Sequence, residues 1–248
     1  MIYVITKVEG FIVKTTNYGE TSLVIELFTK EYGLIGIMGK GVKSLKSKLR
    51  AATMKFTYGF FYIYYKEGKL SILKDVDIID PFYHIHEDIT LIGYVNYIAE
   101  LSYQVYKESE SQDIYPLMIS SLKKLNEGLN PLVLTNILEM KYLPYLGVGI
   151  DLSGCVKCGN PFDIVTIDGD VGGLLCKNCY TTQRIVKKKT IQLLRIYDQI
   201  SIPSINKLDI KKENIEEINR FLNVYYNRYT GMYLQSKDFL QKMENLSK

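Results

Sequence analysis

The chain has 248 residues, 47% of them hydrophobic and 23% charged, with a formal net charge of +4. That composition supplies real cores for about one to three domains, and no apolar run approaches the ~18 residues of a membrane-spanning helix. The opening stretch up to Gly10 alternates like a strand instead of forming the apolar segment of a secretory leader, so a soluble, cytoplasmic protein is expected.

Residues 1–80 read as β-structure. Ile2–Val8, Gly10–Tyr18, Leu23–Thr29, Gly33–Met38, Phe56–Lys66 and Leu70–Asp80 each show apolar alternation or β-branched enrichment. Lys30–Gly33 and Lys66–Lys69 are turn-like joins that favour hairpins. Five or six short strands predict a small barrel, of which the oligonucleotide-binding (OB) type is common at this size and an SH3-like barrel is the alternative. Pro81 closes this region, and helical periodicity then runs through residues 81–248. Helices are predicted over His84–Lys107 and Ile114–Glu127, and a third opens at Asn130-Pro131, an N-cap followed by proline at the first helical position. That third helix is apolar nearly all round and should lie at the centre of a bundle; Pro144 and Gly147 end it. Helical patterns resume over Thr190–Ile200 and from Glu213 to about Glu244.

All four cysteines fall in two tight pairs, Cys155/Cys158 and Cys176/Cys179, with seventeen residues between the pairs. Each C-x2-C loop points two sulfurs at one spot, and two such loops complete a tetrahedral cage for one structural zinc ion. Gly159 and Asn178 are the turn-forming residues such loops need, and Lys157 and Lys177 can offset the charge of a tetrathiolate. The competing readings are two disulfides, an iron site of the same geometry, and redox-active thiols; disulfides fit a cytosolic chain poorly. Residues 154–182 are too few for a core of their own and read as a metal-held insertion in the helical domain.

Signals for catalysis are thin. His84 and His86 are the only histidines, and every cysteine is committed to the metal, so no nucleophile–base set can be assembled. Gly36–Ser44 superficially resembles a phosphate loop, but no glycine directly precedes Lys43, and nucleotide hydrolysis is rejected. Binding signals are better. No acid occurs between Glu31 and Glu67, while Lys40, Lys43, Lys46, Lys48, Arg50 and Lys55 do. Gly39–Arg50 reads as a flexible basic segment on the barrel, suited to neutralising phosphates through Lys40, Lys43, Lys46, Lys48 and Arg50. On composition alone, a solvated loop explains it equally well. The aromatic strand after it offers Phe56, Tyr58, Phe60, Tyr62 and Tyr64 on one face and Phe61, Ile63 and Tyr65 on the other, one of which must line the core. Lys187–Lys189, with Arg184 and Arg195, forms a second basic cluster that reads first as a helix-start surface.

Several stretches, in order and over nearly the whole chain, resemble the RecO family of DNA repair proteins. They are Gly10–Lys14 with Tyr18–Leu23, Phe28–Gly33, Gly39–Ser44 with Phe56, Leu143–Gly147 leading to Cys155–Gly159, and Tyr229 with Gly231–Leu240. The resemblance implies an N-terminal OB-fold barrel and a helical C-terminal domain carrying the zinc motif, which only some members possess. It implies a non-enzymatic mediator that binds single- and double-stranded DNA, Lys14 included in the contact surface. Such a protein anneals complementary strands and helps load recombinase onto DNA coated by single-stranded-DNA-binding protein. The implied partners are RecR, often RecF, and the acidic C-terminal tail of the coating protein, in the cytoplasm on the nucleoid. Thr15 and Thr16 stand where the family pattern leads us to expect a further charge. A zinc-containing scaffold for other proteins, or an RNA-binding factor without annealing activity, is the alternative.

Overall fold

The computed structural model describes residues 4–246; the first two residues of the strand expected over Ile2–Val8 lie outside them. Two compact units result. One takes in the chain up to Glu87 together with Ala99–Pro116; the other comprises Asp88–Ile98 and the chain from Leu117 onward.

In the first unit, β1 (Ile5–Tyr18), β2 (Ser22–Thr29), β3 (Gly33–Gly39), β4 (Tyr58–Tyr64) and β5 (Ser71–Asp80) close a barrel in the order β1-β2-β3-β5-β4. All pairings are antiparallel except β3 with β5, the arrangement of an OB barrel. The two strands expected before Tyr18 are a single fourteen-residue strand. Glu9-Gly10 looks like a break in the sequence, yet Gly10 pairs with Thr29 on one side and Gly59 on the other. Glycine is needed there for close approach, because a Cβ would stand 2.9 Å from Leu27. Alternate residues point inward, so Val8, Ile12, Ile25, Leu27, Ile37, Phe61, Ile63 and Leu73 fill the barrel. Outside it, Phe28 is buried under Tyr106 and Tyr115, with ring centroids 4.9 and 5.5 Å away.

After the barrel the predicted helices are present with shifted ends. After a single turn α1 (Tyr83–His86), α2 (Ile89–Ser109) runs on past the expected stop and contributes to both units. α3 (Ile114–Asn126) follows, then α4 (Pro131–Tyr142), where Asn130 Oδ1 accepts the Val133 N–H at 3.0 Å as the dipeptide predicts. Every residue of α4 from Val133 to Met140 is buried, Asn136 and Glu139 among them. Glu139, 2% exposed, is held by the Lys237 amine at 2.9 Å and the Tyr97 hydroxyl, and the Tyr97 and Tyr226 rings flank that amine. A buried carboxylate without such partners would cost several kcal/mol. β6 (Ile164–Asp168) and β7 (Gly173–Cys176) form a hairpin between α4 and α5 (Lys188–Gln199). The final helical pattern is not continuous. α6 (Lys212–Tyr229) stops where Gly231 takes a φ of +63° and Thr230 accepts the Met232 N–H at 3.1 Å, and α7 (Gln235–Leu246) begins anew. Among the described residues no helix is long and apolar enough to cross a membrane.

Barrel closure yields one test. A Cβ at Gly59 would lie 2.6 Å from the Asp77 carbonyl oxygen, and backbone cannot rotate away as a side chain can. Gly59→Ala should therefore destabilise the barrel by about 1–3 kcal/mol, read as a lowered denaturant midpoint; a wild-type midpoint would show that the β4–β5 pairing gives freely.

Candidate metal centre and nucleic-acid interface

The four cysteines come together. Their sulfurs all lie within 4.8 Å of one another, and Cys158 and Cys176 Sγ are 3.7 Å apart. A tetrahedral cage with metal–sulfur bonds of about 2.3 Å spaces its sulfurs by about 3.8 Å, so the residues fit a four-thiolate ion. The chain is built locally to present them. Gly159, at φ +75°, donates its N–H to Cys155 O at 2.7 Å, and Cys155 N–H reaches Asn160 O at 2.9 Å, winding the first loop. A Cβ on Gly154 would strike the Gly159 carbonyl oxygen at 2.6 Å. The second loop repeats the pattern, with the Cys179 and Tyr180 N–H groups on Cys176 O. The Val156 N–H on Leu174 O and the Lys177 N–H on Asp163 O, both 2.9 Å, tie the two loops to the hairpin.

Burial pushes the Cys155 thiol up, but N–H donors from Cys176, Cys158 and Lys157 aimed at its sulfur outweigh that and hold it well below the usual thiol range. Cys155 and Cys176 are buried with Leu175 in a core of three residues, Cys179 is half-buried, and Cys158 is exposed. So small a core cannot hold the hairpin unaided. The hairpin in turn seats on α6: Gly169 lies against Val224, where a Cβ would come within 2.6 Å, and the Tyr229 hydroxyl donates to Asp170 O at 2.8 Å.

The basic segment is not a free loop. Successive N–H donations from Ser44 to Gly41, Ser47 to Ser44 and Arg50 to Ser47, at 3.0–3.3 Å, wind it into consecutive turns ending in a 3-10 turn at Ala51–Thr53. Val42, 2% exposed, is plugged into the barrel core, and Leu49 packs beside it. These apolar side chains fix a segment whose composition reads as loop. The winding makes one wall of an open groove of about 620 Å³ against the ends of β1 and β2. Lys43, Lys48 and Arg50 line it; Lys55, which belongs to the acid-free window but not to the expected phosphate contacts, joins them, and no carboxylate does. Asn17 Oδ1 accepts the Lys43 amine at 2.8 Å and aims it, a role that nothing in the sequence around Asn17 signals. Burial draws the Lys55 pKa down, against the pull of Glu100. Lys40 and Lys46 are exposed and lie outside the groove. Lys14 also lies outside it, its amine 3.0 Å from Glu26 Oε1.

The remaining candidates resolve differently. Phe61 and Ile63 face the core, leaving Phe60, Tyr62 and Tyr64 half-buried outside. There Lys7 sits 3.8 Å over Phe60 and Lys74 4.4 Å over Tyr64, while the Tyr62 hydroxyl donates to Asp77 at 2.8 Å. These outer rings are engaged within the barrel beside Asp75 and Asp77 and do not form a clear platform next to the groove. Of the second basic cluster, Lys187 pairs with Glu213, Arg184 lies 3.8 Å from Glu217, and Arg195 donates to Leu152 O at 3.1 Å. His84 and His86 are exposed, and among the described residues they join no metal-ligating group.

The metal centre is testable through its own sulfurs. Cys176→Ser should carry no stoichiometric metal by elemental analysis and should melt several degrees lower, as expected for a loss of about 2 kcal/mol. A variant that keeps both its metal and its melting temperature would deny the site a structural role.

Known proteins agree with this architecture. Residues 1–82 match the family described as recombination protein O N terminal, and residues 86–238 match recombination protein O C terminal. The chain is 34% identical over 246 residues to the DNA repair protein RecO of Bacillus subtilis (strain 168), covering 98% of this chain and 96% of the relative. It is 31% identical over 242 residues to the protein of the same name from Listeria monocytogenes serotype 4b (strain F2365), covering 96% and 94%. A barrel of OB topology at the N-terminus, a helical region holding four clustered thiols, and matches to both halves over nearly the full length place this chain in the RecO family.

Proposed function

We propose that this protein is a non-enzymatic recombination mediator that binds single- and double-stranded DNA on the barrel and anneals complementary strands. It also helps load recombinase onto DNA coated by single-stranded-DNA-binding protein. The observation that carries the reading is the groove, where four cationic side chains converge and no carboxylate lines the wall. Two strands repel through their phosphates, and a cationic surface lowers that repulsion by displacing counterions while leaving bases able to pair. No bond is made or broken, which suits a site that offers amines and guanidinium but no nucleophile held by a base. Lys14, Lys40 and Lys46 extend the positive field beyond the groove and contribute to capture more than to register.

The partners come with the family: RecR, often RecF, and the acidic tail of the coating protein, in the cytoplasm on the nucleoid. The division of labour we propose assigns DNA to a barrel of residues 1–80 and partner docking to a helical domain of residues 81–248. Its segment 154–182 binds one zinc ion through Cys155, Cys158, Cys176 and Cys179. Zinc held by four thiolates has no open position for water, so when bound it supplies cross-linking and nothing else.

Replacing Lys43, Lys48 and Arg50 together by Ala should reduce the slope of log affinity against log salt by about 2 for a single strand and should slow annealing of complementary oligonucleotides. An unchanged slope in an anisotropy titration would remove this groove from the DNA-binding surface.

A further inference from the structure

The four thiols are not equivalent. Cys155 and Cys176 are 2% and 1% exposed and form, with Leu175, the small core of the hairpin. Cys158 instead lies in a run of four exposed residues, Val156 to Gly159. A cluster that only braces a fold gains by covering every sulfur, because oxidation of a thiol follows its exposure and thiolate character. Here one ligand of the four stands open to small oxidants, while its neighbour, the Cys176 sulfur 3.7 Å away, is shielded from them. A disulfide brings its sulfurs to about 2.05 Å, and exposed Cys158 is the partner with room to turn.

We infer that Cys158 is an oxidation site at which peroxide dismantles the metal cage, leaving a Cys158–Cys176 disulfide, so that the cluster serves the helical unit as a reversible redox switch. The inference rests on the four-thiolate reading of the cluster and adds regulation to it. The chemistry balances on two sulfurs and one peroxide. The Cys158 thiolate attacks a peroxide oxygen; an S–O bond forms, the O–O bond breaks and hydroxide leaves, giving a sulfenic acid. The Cys176 thiolate then attacks the Cys158 sulfur; the S–S bond forms, the S–O bond breaks and a second hydroxide leaves. Both hydroxides take up protons to become water, and the two electrons lost by the sulfurs are those gained by the peroxide. Cys176 at 3.7 Å intercepts the sulfenic acid before it goes on to the irreversible sulfinic stage. A disulfide offers no anionic sulfur, so Cys155 and Cys179 alone remain, too few for a tetrahedral site. The change is felt outside the cluster because the hairpin rests on α6 at Gly169 and through the Tyr229 hydroxyl on Asp170 O.

The test exposes the purified full-length protein, loaded with stoichiometric zinc, to hydrogen peroxide. A chelating dye follows zinc release, and mass spectrometry of non-reduced peptides locates the disulfide. All of the zinc should be released in step with a peptide pair joined through Cys158 and Cys176, and dithiothreitol with fresh zinc should restore both metal content and melting temperature. Cys158→His keeps a metal-ligating side chain but removes the exposed thiol; it should hold zinc and release it to peroxide about tenfold more slowly. If that variant binds no zinc, the wild-type peptide map decides alone. A disulfide that omits Cys158 or Cys176, or equal release rates for Cys158→His and wild type, would overturn the proposal. Zinc that is bound but indifferent to peroxide removes the switch and leaves the metal site standing. Protein that takes up no zinc before oxidation removes the four-thiolate reading, and the switch with it.

Discussion

Barrel closure by β1 is the constraint on which the candidate binding surface depends. One strand must pair with β4 through its first half and with β2 through its second, changing neighbours at Gly10, where both partners and the Leu27 side chain press in. Because the strand is continuous through that crossing, Thr15 and Asn17 emerge at its far end beside Leu23, facing the wound segment after β3. The Phe56 N–H on Ile12 O at 2.9 Å and the Ile12 N–H on Thr57 O at 3.0 Å return that segment to the same strand. A barrel built from two shorter strands would leave the groove with one wall. The energy that holds the wall comes from burial of Val42 and Leu49, each worth on the order of 1–3 kcal/mol if fully removed from water, and not from the lysines that face the solvent.

The thiol cluster meets the opposite problem in the helical unit. A hairpin whose strands have five and four residues has one small apolar cluster, and its strands would be marginal alone. Four sulfurs at one point would let a bound ion stand in for a core as a cross-link, and the hairpin's tip seats on α6 through Gly169 and Tyr229. The same helix sends Tyr226 to the buried Glu139 carbonyl at 2.8 Å. Thiol cluster, hairpin and helix centre are thus linked within one unit, so an ion held by the thiols would couple the loss of a single sulfur to helical stability.

Local signals in the sequence proved dependable where the physics is local. Cysteine spacing requires only that two short loops meet, and Asn130-Pro131 encodes its own cap. Alternation gave the strands of the barrel because each face sees one environment. The readings that failed depend on distant partners. Gly10 punctuates the sequence but is a close-packing residue, since Leu27 and Gly59 arrive from elsewhere in the chain. The helical pattern expected from Glu213 to about Glu244 continues on paper across Gly231, whose positive φ breaks it. Glu139 looks like an error in an apolar helix until Lys237, ninety-eight residues on, is brought to it. The basic segment read as flexible because its charges outnumber the two apolar residues that pin it. Within the candidate interface, the positive charge of Lys43, Lys48 and Arg50 was visible in the sequence; the contact of Asn17 with Lys43 was not, because it exists only once the wall is wound.

The barrel's two decorated faces show why charge and aromatic content must be weighed together. Rings are most numerous outside β4, and a count of aromatics would put base stacking there. Yet Asp75 and Asp77 stand opposite Tyr62 and Phe60 on β5, and Lys7 and Lys74 cover two of the rings. A strand laid on that face would bring its phosphates toward carboxylates, and like charges at close range cost more than a stacked ring returns unless they are well screened. The groove has no exposed ring, only a thioether and two aliphatic side chains, but every charged residue lining it is cationic. Long-range attraction decides where a polyanion arrives, and short-range apolar contact decides which part of it stays. By that ordering the face with fewer aromatics is the better candidate for the proposed nucleic-acid interface.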